Sequence, residues 1–150
     1  MDIERMEIVG LEVSDLDAAM KEFSDLLGVT FHRIDFAGKN LIRRFPADVP
    51  PSDADETISV AIDTSGYLEL IQANPPTTHE RVRNIHFKVS DIDAAIETMR
   101  SRGHRLVSYV QIGAMKEAIF GAREARGLRM CLVQYDAPSM IEAMLEQSSD

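Results

Sequence analysis

Apolar and polar residues alternate along several stretches of the chain, and after the first stretch the apolar spacing becomes helical. Residues 8–13 alternate with the period of two that a strand requires, and Ser14 follows as a helix cap. From there to about Leu27 apolar residues recur every three or four positions, which predicts a helix buried on one side, and Gly28 is a natural stop. Rich in β-branched and aromatic residues, the next stretches predict four strands over 30–36, 40–45, 58–63 and 66–72.

The same order of elements returns in the second half of the chain. The segment Val13–Ala19 reappears as Val89–Ala95 with one conservative change. A strand is predicted over 83–89, a helix over 91–102, and further strands over 106–111, 116–120 and 128–135. The repeat therefore predicts an α+β fold of two βαβββ modules, the first over 1–77 and the second over 78–136, with a helical tail over 137–150.

Two segments lie outside the repeat. Residues 46–56 contain three prolines and four acidic residues, which predicts a solvated loop, either an ordinary surface excursion or a lid. In the tail, Met140, Ile141, Met144 and Leu145 form an apolar stripe that packs on its own sheet or on a partner. Together with unpaired edges expected at the first strands, this stripe predicts a homodimer.

Charge and composition narrow the classes of partner. With 16 basic and 25 acidic side chains the formal net charge is −9, which disfavours nucleic acid and anionic membrane surfaces. Cys131 is the only cysteine, so an internal disulfide is excluded. The N-terminus has no leader-like pattern and no apolar run approaches eighteen residues, so we expect a soluble, cytoplasmic protein.

Strand alternation separates an apolar face from a polar one. The residues Val9, Leu11 and Val13, like Ile85, Phe87 and Val89, are uniformly apolar and should lie under the two helices. The opposite faces of four strands carry polar groups and could share one concave surface. Its polar members are Glu12, Tyr67, Glu69, Asn84, His86, Lys88, Arg129 and Cys131.

Three motifs resemble those of the vicinal oxygen chelate superfamily, which includes glyoxalase I, extradiol dioxygenases, methylmalonyl-CoA epimerase and the bleomycin and fosfomycin resistance proteins. These motifs are the repeated Val-Ser-Asp-Leu-Asp-Ala-Ala, the helix end over residues 23–28 and the strand Leu68–Gln72. The resemblance covers residues 6–135 and implies two βαβββ modules that form a cup-shaped mixed sheet, the glyoxalase/bleomycin resistance/dioxygenase fold. Its metal-using members bind a divalent ion in the cup through one residue on each of four strands.

Carried over by position, the family's four metal ligands fall on Ile8, Glu69, Asn84 and Cys131. Only Glu69 is a good oxygen ligand, whereas a catalytic metal needs about three protein ligands. We therefore predict no metal and no cofactor. The alternative is a shifted site in which His86 joins Glu69 and Cys131, a donor set that zinc accepts.

Two functions from different classes remain open. The leading hypothesis is a metal-independent cup that binds a small organic molecule, although a chain with no Trp, three Tyr and six Phe has few stacking partners. The alternative is a lyase or isomerase in which Glu69 and His86 are catalytic and Arg129 or Lys88 replaces the metal as electrophile. In either case the expected ligand contacts are Glu12, Tyr67, Asn84, Lys88, Arg129 and Cys131. A structural member that acts through a protein partner is a third possibility.

Overall fold

The computed structural model describes residues 1–36, the backbone of 42–43, Asp48 and residues 58–146. The predicted loop over 46–56 lies outside the described residues apart from Asp48. The first module contains β1 (Ile3–Glu12), α1 (Leu16–Leu27), β2 (Phe31–Phe36), β3 (Ile42–Arg43), β4 (Ile58–Asp63) and β5 (Leu68–Ala73). The second contains β6 (Arg81–Val89), α2 (Ile92–Ser101), β7 (Leu106–Ile112), β8 (Met115–Phe120) and β9 (Met130–Gln134), and α3 (Met140–Leu145) follows.

The strands of the described residues form one mixed sheet in the order β2-β4-β5-β1-β6-β9-β8-β7-β3. The first strands of the two modules, β1 and β6, pair antiparallel at its centre, so the two units close within one chain. Each is also parallel to the last long strand of its own module, β1 to β5 and β6 to β9. The expected free edge at the first strands is therefore wrong, because each first strand is hydrogen-bonded on both sides.

Both long helices cover the same face of the sheet. Leu11 and Val13 pack with α1, and Phe87 and Val89 pack with α2, as the strand alternation predicts. The short helix α3 lies on the opposite face, where Met140, Ala143 and Met144 are buried among apolar side chains from both modules. Met140, Ile141 and Met144 of the apolar stripe thus pack on the chain's own sheet, whereas Leu145 is 48% exposed. Most of the stripe therefore gives no support to the predicted homodimer. None of the helices in the described part of the chain is long and apolar enough to cross a membrane.

The helix starts repeat in detail. Asp15 and Asp91 cap α1 and α2, each accepting a hydrogen bond from the backbone N–H three residues later. The prediction of Ser14 as the first cap is wrong by one residue, because the side chain that caps α1 is that of Asp15. The Ser14 N–H donates to the Glu80 carboxylate at 3.2 Å. Gly28 ends α1 in the left-handed conformation at φ 67°, which explains the glycine predicted there.

A second cap comes from the last strand of each module. The Leu16 N–H donates to Gln72 Oε1 at 2.7 Å, and the Ile92 N–H donates to Gln134 Oε1 at 2.9 Å. These bonds satisfy helix donors that would otherwise have no partner. The duplication therefore extends from the helix sequence to the strand that supports it.

Candidate active site

Glu69 occupies the middle of the face opposite α1 and α2. On β5 it lies directly across from Gly10 of β1, and a Cβ at Gly10 would come within 3.3 Å of Glu69 Oε1 and 3.0 Å of Ile71 Cδ1. The glycine therefore leaves the space that the carboxyl fills. Glu69 is 6% exposed, and within the described residues no hydrogen bond or ion pair engages its carboxyl. Burial raises the pKa of Glu69 to about 7.

His86 lies on β6, the strand between β1 and β9. It is paired with Ile8 of β1 on one side and with Cys131 of β9 on the other. The ring is 2% exposed, and its Nε2 lies 3.1 Å from Glu117 Oε2. Among the described residues its buried Nδ1 has no hydrogen-bond partner. The imidazole thus contacts the Glu117 carboxylate through Nε2 and lies beside the Cys131 thiol, which also raises the pKa of the ring.

The ionisation of this cluster is set by burial and by its neighbours. Burial opposes charging of the His86 ring, but Cys131, Glu117 and Glu69 together raise its pKa well above 6.5. Burial also raises the pKa of the Cys131 thiol, against the effect of His86. A fully buried thiol with a raised pKa is protonated at neutral pH, which argues against a free nucleophile.

Arg81 and Arg83 extend the polar cluster toward Glu12 of β1. Arg83 Nη1 lies 3.5 Å from Glu12 Oε2, and Arg81 Nη2 lies 3.7 Å from the same oxygen, so the buried Glu12 is neutralised from two sides.

Arg129 is half-buried, and in the part of the chain that the structure describes it forms no ion pair. Burial, and then Arg83, lowers the pKa of Arg129. The Nε atoms of Arg83 and Arg129 are both buried without a hydrogen-bond partner.

Asn84 completes the polar surface beside Gly10. It is 6% exposed, lies across from Gly10, and its Oδ1 has no hydrogen-bond partner. Buried polar atoms are nearly always bonded to protein or to ordered water. Unpartnered atoms on Asn84, His86, Arg83 and Arg129 within one region therefore indicate a place for a bound molecule or for water.

Two of the residues predicted for the site are less suited to it, one because its charge is engaged and the other because it is exposed. Lys88 Nζ is 3.4 Å from Glu4 Oε2 and 4.3 Å from the centre of the Tyr135 ring, so its charge is already engaged. Tyr67 is 76% exposed and lies before β5, where strand alternation does not yet apply. The turn there is held by Asp63, whose carboxylate accepts hydrogen bonds from three backbone amides including that of Tyr67. Glu12, Glu69, Asn84, His86 and Cys131 do lie on the shared face. Arg129 lies just before β9, and its electrostatic interactions with Cys131, Glu117 and Glu12 place it near this cluster.

Sequence reasoning missed Glu117 and Arg83. Glu117 could have been found, because Ala118 and Phe120 of the same strand are buried under α2 and alternation then places Glu117 on the opposite face. Arg83 could not. Gly10 pairs with Asn84 but Leu11 pairs with Val82, so Arg83 is the extra residue of a bulge and leaves the alternation.

Two βαβββ-like units, the first with the two-residue β3 in addition, form a mixed sheet that has both long helices on one face and the polar cluster on the other. These features define a class of protein. The chain belongs to the glyoxalase/bleomycin resistance protein/dioxygenase superfamily, whose family model matches residues 9–120. The family and the fold predicted from the sequence are thereby confirmed.

Solved structures with the same fold include several methylmalonyl-CoA epimerases. The enzyme from Mycobacterium tuberculosis has 20% identity, a TM-score of 0.64 and 90% coverage of both chains. A variant of the Streptomyces coelicolor enzyme in complex with 2-nitronate-propionyl-CoA has 16% identity, a TM-score of 0.63, and 91% and 100% coverage. A hypothetical protein from Bacillus halodurans C-125 has 14% identity, a TM-score of 0.62, and 90% and 96% coverage. No curated protein matches the sequence.

The side chains at the family's metal positions do not fit a metal in this chain. Ile8 is 1% exposed and packs in the apolar cluster under α3, so it offers no ligand. Asn84 offers one neutral amide oxygen, and Glu69 and Cys131 alone fall short of the three protein ligands of an open catalytic site. The four positions that hold the metal in metal-using members of the family therefore do not form a metal site in this chain.

Proposed function

We propose that the protein is a proton-transfer enzyme of the isomerase or lyase type that acts on a small, negatively charged carbonyl compound. The observation that carries this proposal is Glu69, a buried carboxyl that forms no hydrogen bond or close ion pair with the described residues and lies beside unpartnered donors and acceptors. A general base works best when its pKa lies near the operating pH, and the pKa of Glu69 is raised to about 7.

In the proposed reaction Glu69 removes a proton from the carbon next to the substrate carbonyl. The electron pair of the broken C–H bond forms the double bond of an enolate, and the carbonyl π pair moves onto oxygen. Return of the proton to the other face or to the neighbouring carbon gives an isomerase, and loss of a group from the neighbouring carbon gives a lyase. His86 is the second group of the site that can carry a proton.

Arg129 supports the negative charge assigned to the substrate. It is a half-buried guanidinium with an unpartnered Nε, and within the described residues it forms no ion pair. A guanidinium in that state favours an anion, and its N–H donors can stabilise an enolate oxygen without reorganising. Of the two electrophiles considered from the sequence, Lys88 is less suited because Glu4 and Tyr135 already engage it.

The solved structures with this fold include enzymes whose reaction is of the proposed class. Several structures with this fold are methylmalonyl-CoA epimerases, and one of them is described in complex with methylmalonyl-CoA. Epimerisation of such a compound is a proton transfer at a carbon beside a carbonyl. Identities of 16–20% show the fold alone, so the substrate class rests on Arg129 and on the buried carboxyl.

The test is hydrogen exchange in deuterated water, with methylmalonyl-CoA and 2-oxobutyrate as probes and chelator-treated protein as catalyst. We expect deuterium at the carbon beside the carbonyl, read by mass spectrometry, and a loss of about 10²–10⁴-fold in rate for Glu69→Gln. Glu97→Gln, a substitution on the exposed side of α2, is the matched control and should exchange like the wild type. Equal rates in Glu69→Gln and wild type would remove Glu69 as the base.

A metal-independent binding protein is the second candidate, and a different cavity favours it. This cavity of about 280 Å³ lies between β1, the turn before β5 and the start of α3, and Arg5, Tyr67 and Met140 are among its lining residues. A small organic molecule held there would lose affinity in Tyr67→Ala and keep it in Glu69→Gln. Calorimetry on both variants therefore separates this function from proton transfer at Glu69.

A further inference from the structure

Three side chains of metal-ligand type converge on neighbouring strands of the second module. His86 comes from β6, Cys131 from β9 and Glu117 from β8, and one ligand atom from each lies within 4.8 Å of the others. His86 and Cys131 are 2% and 0% exposed, and the Glu117 side chain is 13% exposed. Because β9 is hydrogen-bonded to both β6 and β8, the sheet fixes the three backbones relative to one another.

The His86 ring also offers an unused lone pair. When Nε2–H of the neutral ring donates to Glu117 at 3.1 Å, the buried Nδ1 is an acceptor, and among the described residues it has no hydrogen-bond partner. Leaving a buried polar atom unpaired costs free energy. A cation bound at this lone pair would satisfy Nδ1, and Glu117 and Cys131 each place a ligand atom close enough to bind the same ion.

The spacing is close to that of a metal site. With bonds of about 2.0–2.3 Å, ligand atoms around a tetrahedral zinc lie roughly 3.5 Å apart. Side-chain movements of about 1 Å would therefore bring the three ligand atoms to the distances found around zinc. One nitrogen, one carboxylate oxygen and one sulfur suit zinc or cobalt far better than magnesium or calcium, which prefer oxygen alone.

We propose that His86, Glu117 and Cys131 form a site for one divalent zinc-type cation, displaced from the family's own metal positions. Three protein ligands leave a fourth position open, as in catalytic rather than structural zinc sites. Two of the three ligands, His86 and Glu117, lie at positions that the family does not use. The site opposes the metal-free prediction made from the sequence, and one experiment decides between them.

The experiment uses untagged full-length protein, stripped with a chelator and then dialysed. Zinc is titrated by calorimetry, and cobalt is added in parallel while the absorption spectrum is recorded. We expect one equivalent of zinc per chain, and a thiolate-to-cobalt charge-transfer band that is absent in Cys131→Ser. Glu117→Gln and Cys131→Ser, both near-isosteric, should weaken zinc binding by at least about tenfold while keeping the circular dichroism of the wild type.

His32→Ala and Glu97→Gln are the controls, because both residues are exposed and far in sequence from the three ligands. Both should bind zinc like the wild type. Absence of stoichiometric zinc binding, equal affinity in Cys131→Ser, or a cobalt spectrum without a thiolate band would each overturn the site. The proton-transfer proposal is tested on stripped protein, so failure of one proposal is distinguishable from failure of the other.

Discussion

Ionisation of Glu69 should destabilise the fold as the pH rises. In the unfolded chain this carboxyl has an ordinary pKa of 4.5, whereas burial raises its pKa to about 7 in the folded protein. Between these values the folded state holds a proton that the unfolded state has lost, so the free energy of unfolding falls with increasing pH. Stability from this group is fully present below pH 4.5 and is lost by about pH 7.

The magnitude follows from the size of the shift. One pKa unit corresponds to 1.36 kcal/mol, so the interval from 4.5 to about 7 predicts a loss of about 3 kcal/mol. The groups that also act on Glu69 are His86 and Arg83, which lower its pKa, and Glu117, which raises it. Their own titration is common to the wild type and to Glu69→Gln, so most of it cancels in the difference.

The assay is urea denaturation of wild type, Glu69→Gln and the exposed control Glu97→Gln between pH 4.5 and 8, with chelator present. We expect Glu69→Gln to gain about 3 kcal/mol relative to wild type across this range, since glutamine cannot ionise. The difference between Glu97→Gln and wild type should stay nearly constant. A constant difference for Glu69→Gln as well would show that its carboxyl ionises at an ordinary pH, and the reasoning from burial would then fail.

Three further predictions concern the strand-to-helix bond, the thiol and the assembly. Gln134→Leu should cost about 1–2 kcal/mol in chemical denaturation, because it leaves the Ile92 N–H without its acceptor, and Gln72→Leu should do the same for α1. The Cys131 thiol, 0% exposed, should react with a disulfide reagent at least ~10³-fold more slowly in buffer than in urea, the ratio expected for an opening energy of about 5 kcal/mol. The homodimer stays a prediction that light scattering can check, and a mass of 16.8 kDa would contradict it.

Much of the fold was predictable because the sequence pattern of a strand followed by a helix occurs twice in the chain. The repeat of Val13–Ala19 at Val89–Ala95 located both helix starts to within one residue, each shortly after a strand. The central pairing of β1 with β6 was harder to predict, because alternation reports which face a residue takes and not which strand lies beside it. This is why the first strands, which are internal, were expected to offer free edges.

The site was predictable only where the alternation is regular. Glu69, His86 and Cys131 were assigned correctly to one face because their strands keep a period of two. Arg83 escapes this rule because it is the extra residue of a bulge, and a bulge depends on pairing with β1 that a single strand does not reveal.

The proposed zinc ligands and the proposed general base lie on different modules, so the residues of the family's site can change while the fold stays the same. Residues two apart on a strand share a face, so a ligand that moves from Asn84 to His86 shifts by about 7 Å along β6 and stays in the cup. At its new position His86 lies between Ile8, which has become part of the apolar packing under α3, and Cys131, which is directly across on β9. In the proposed zinc site all three ligands belong to the second module. Glu69 lies on the first module and is not one of them, so its buried carboxyl stays free for the proposed proton transfer.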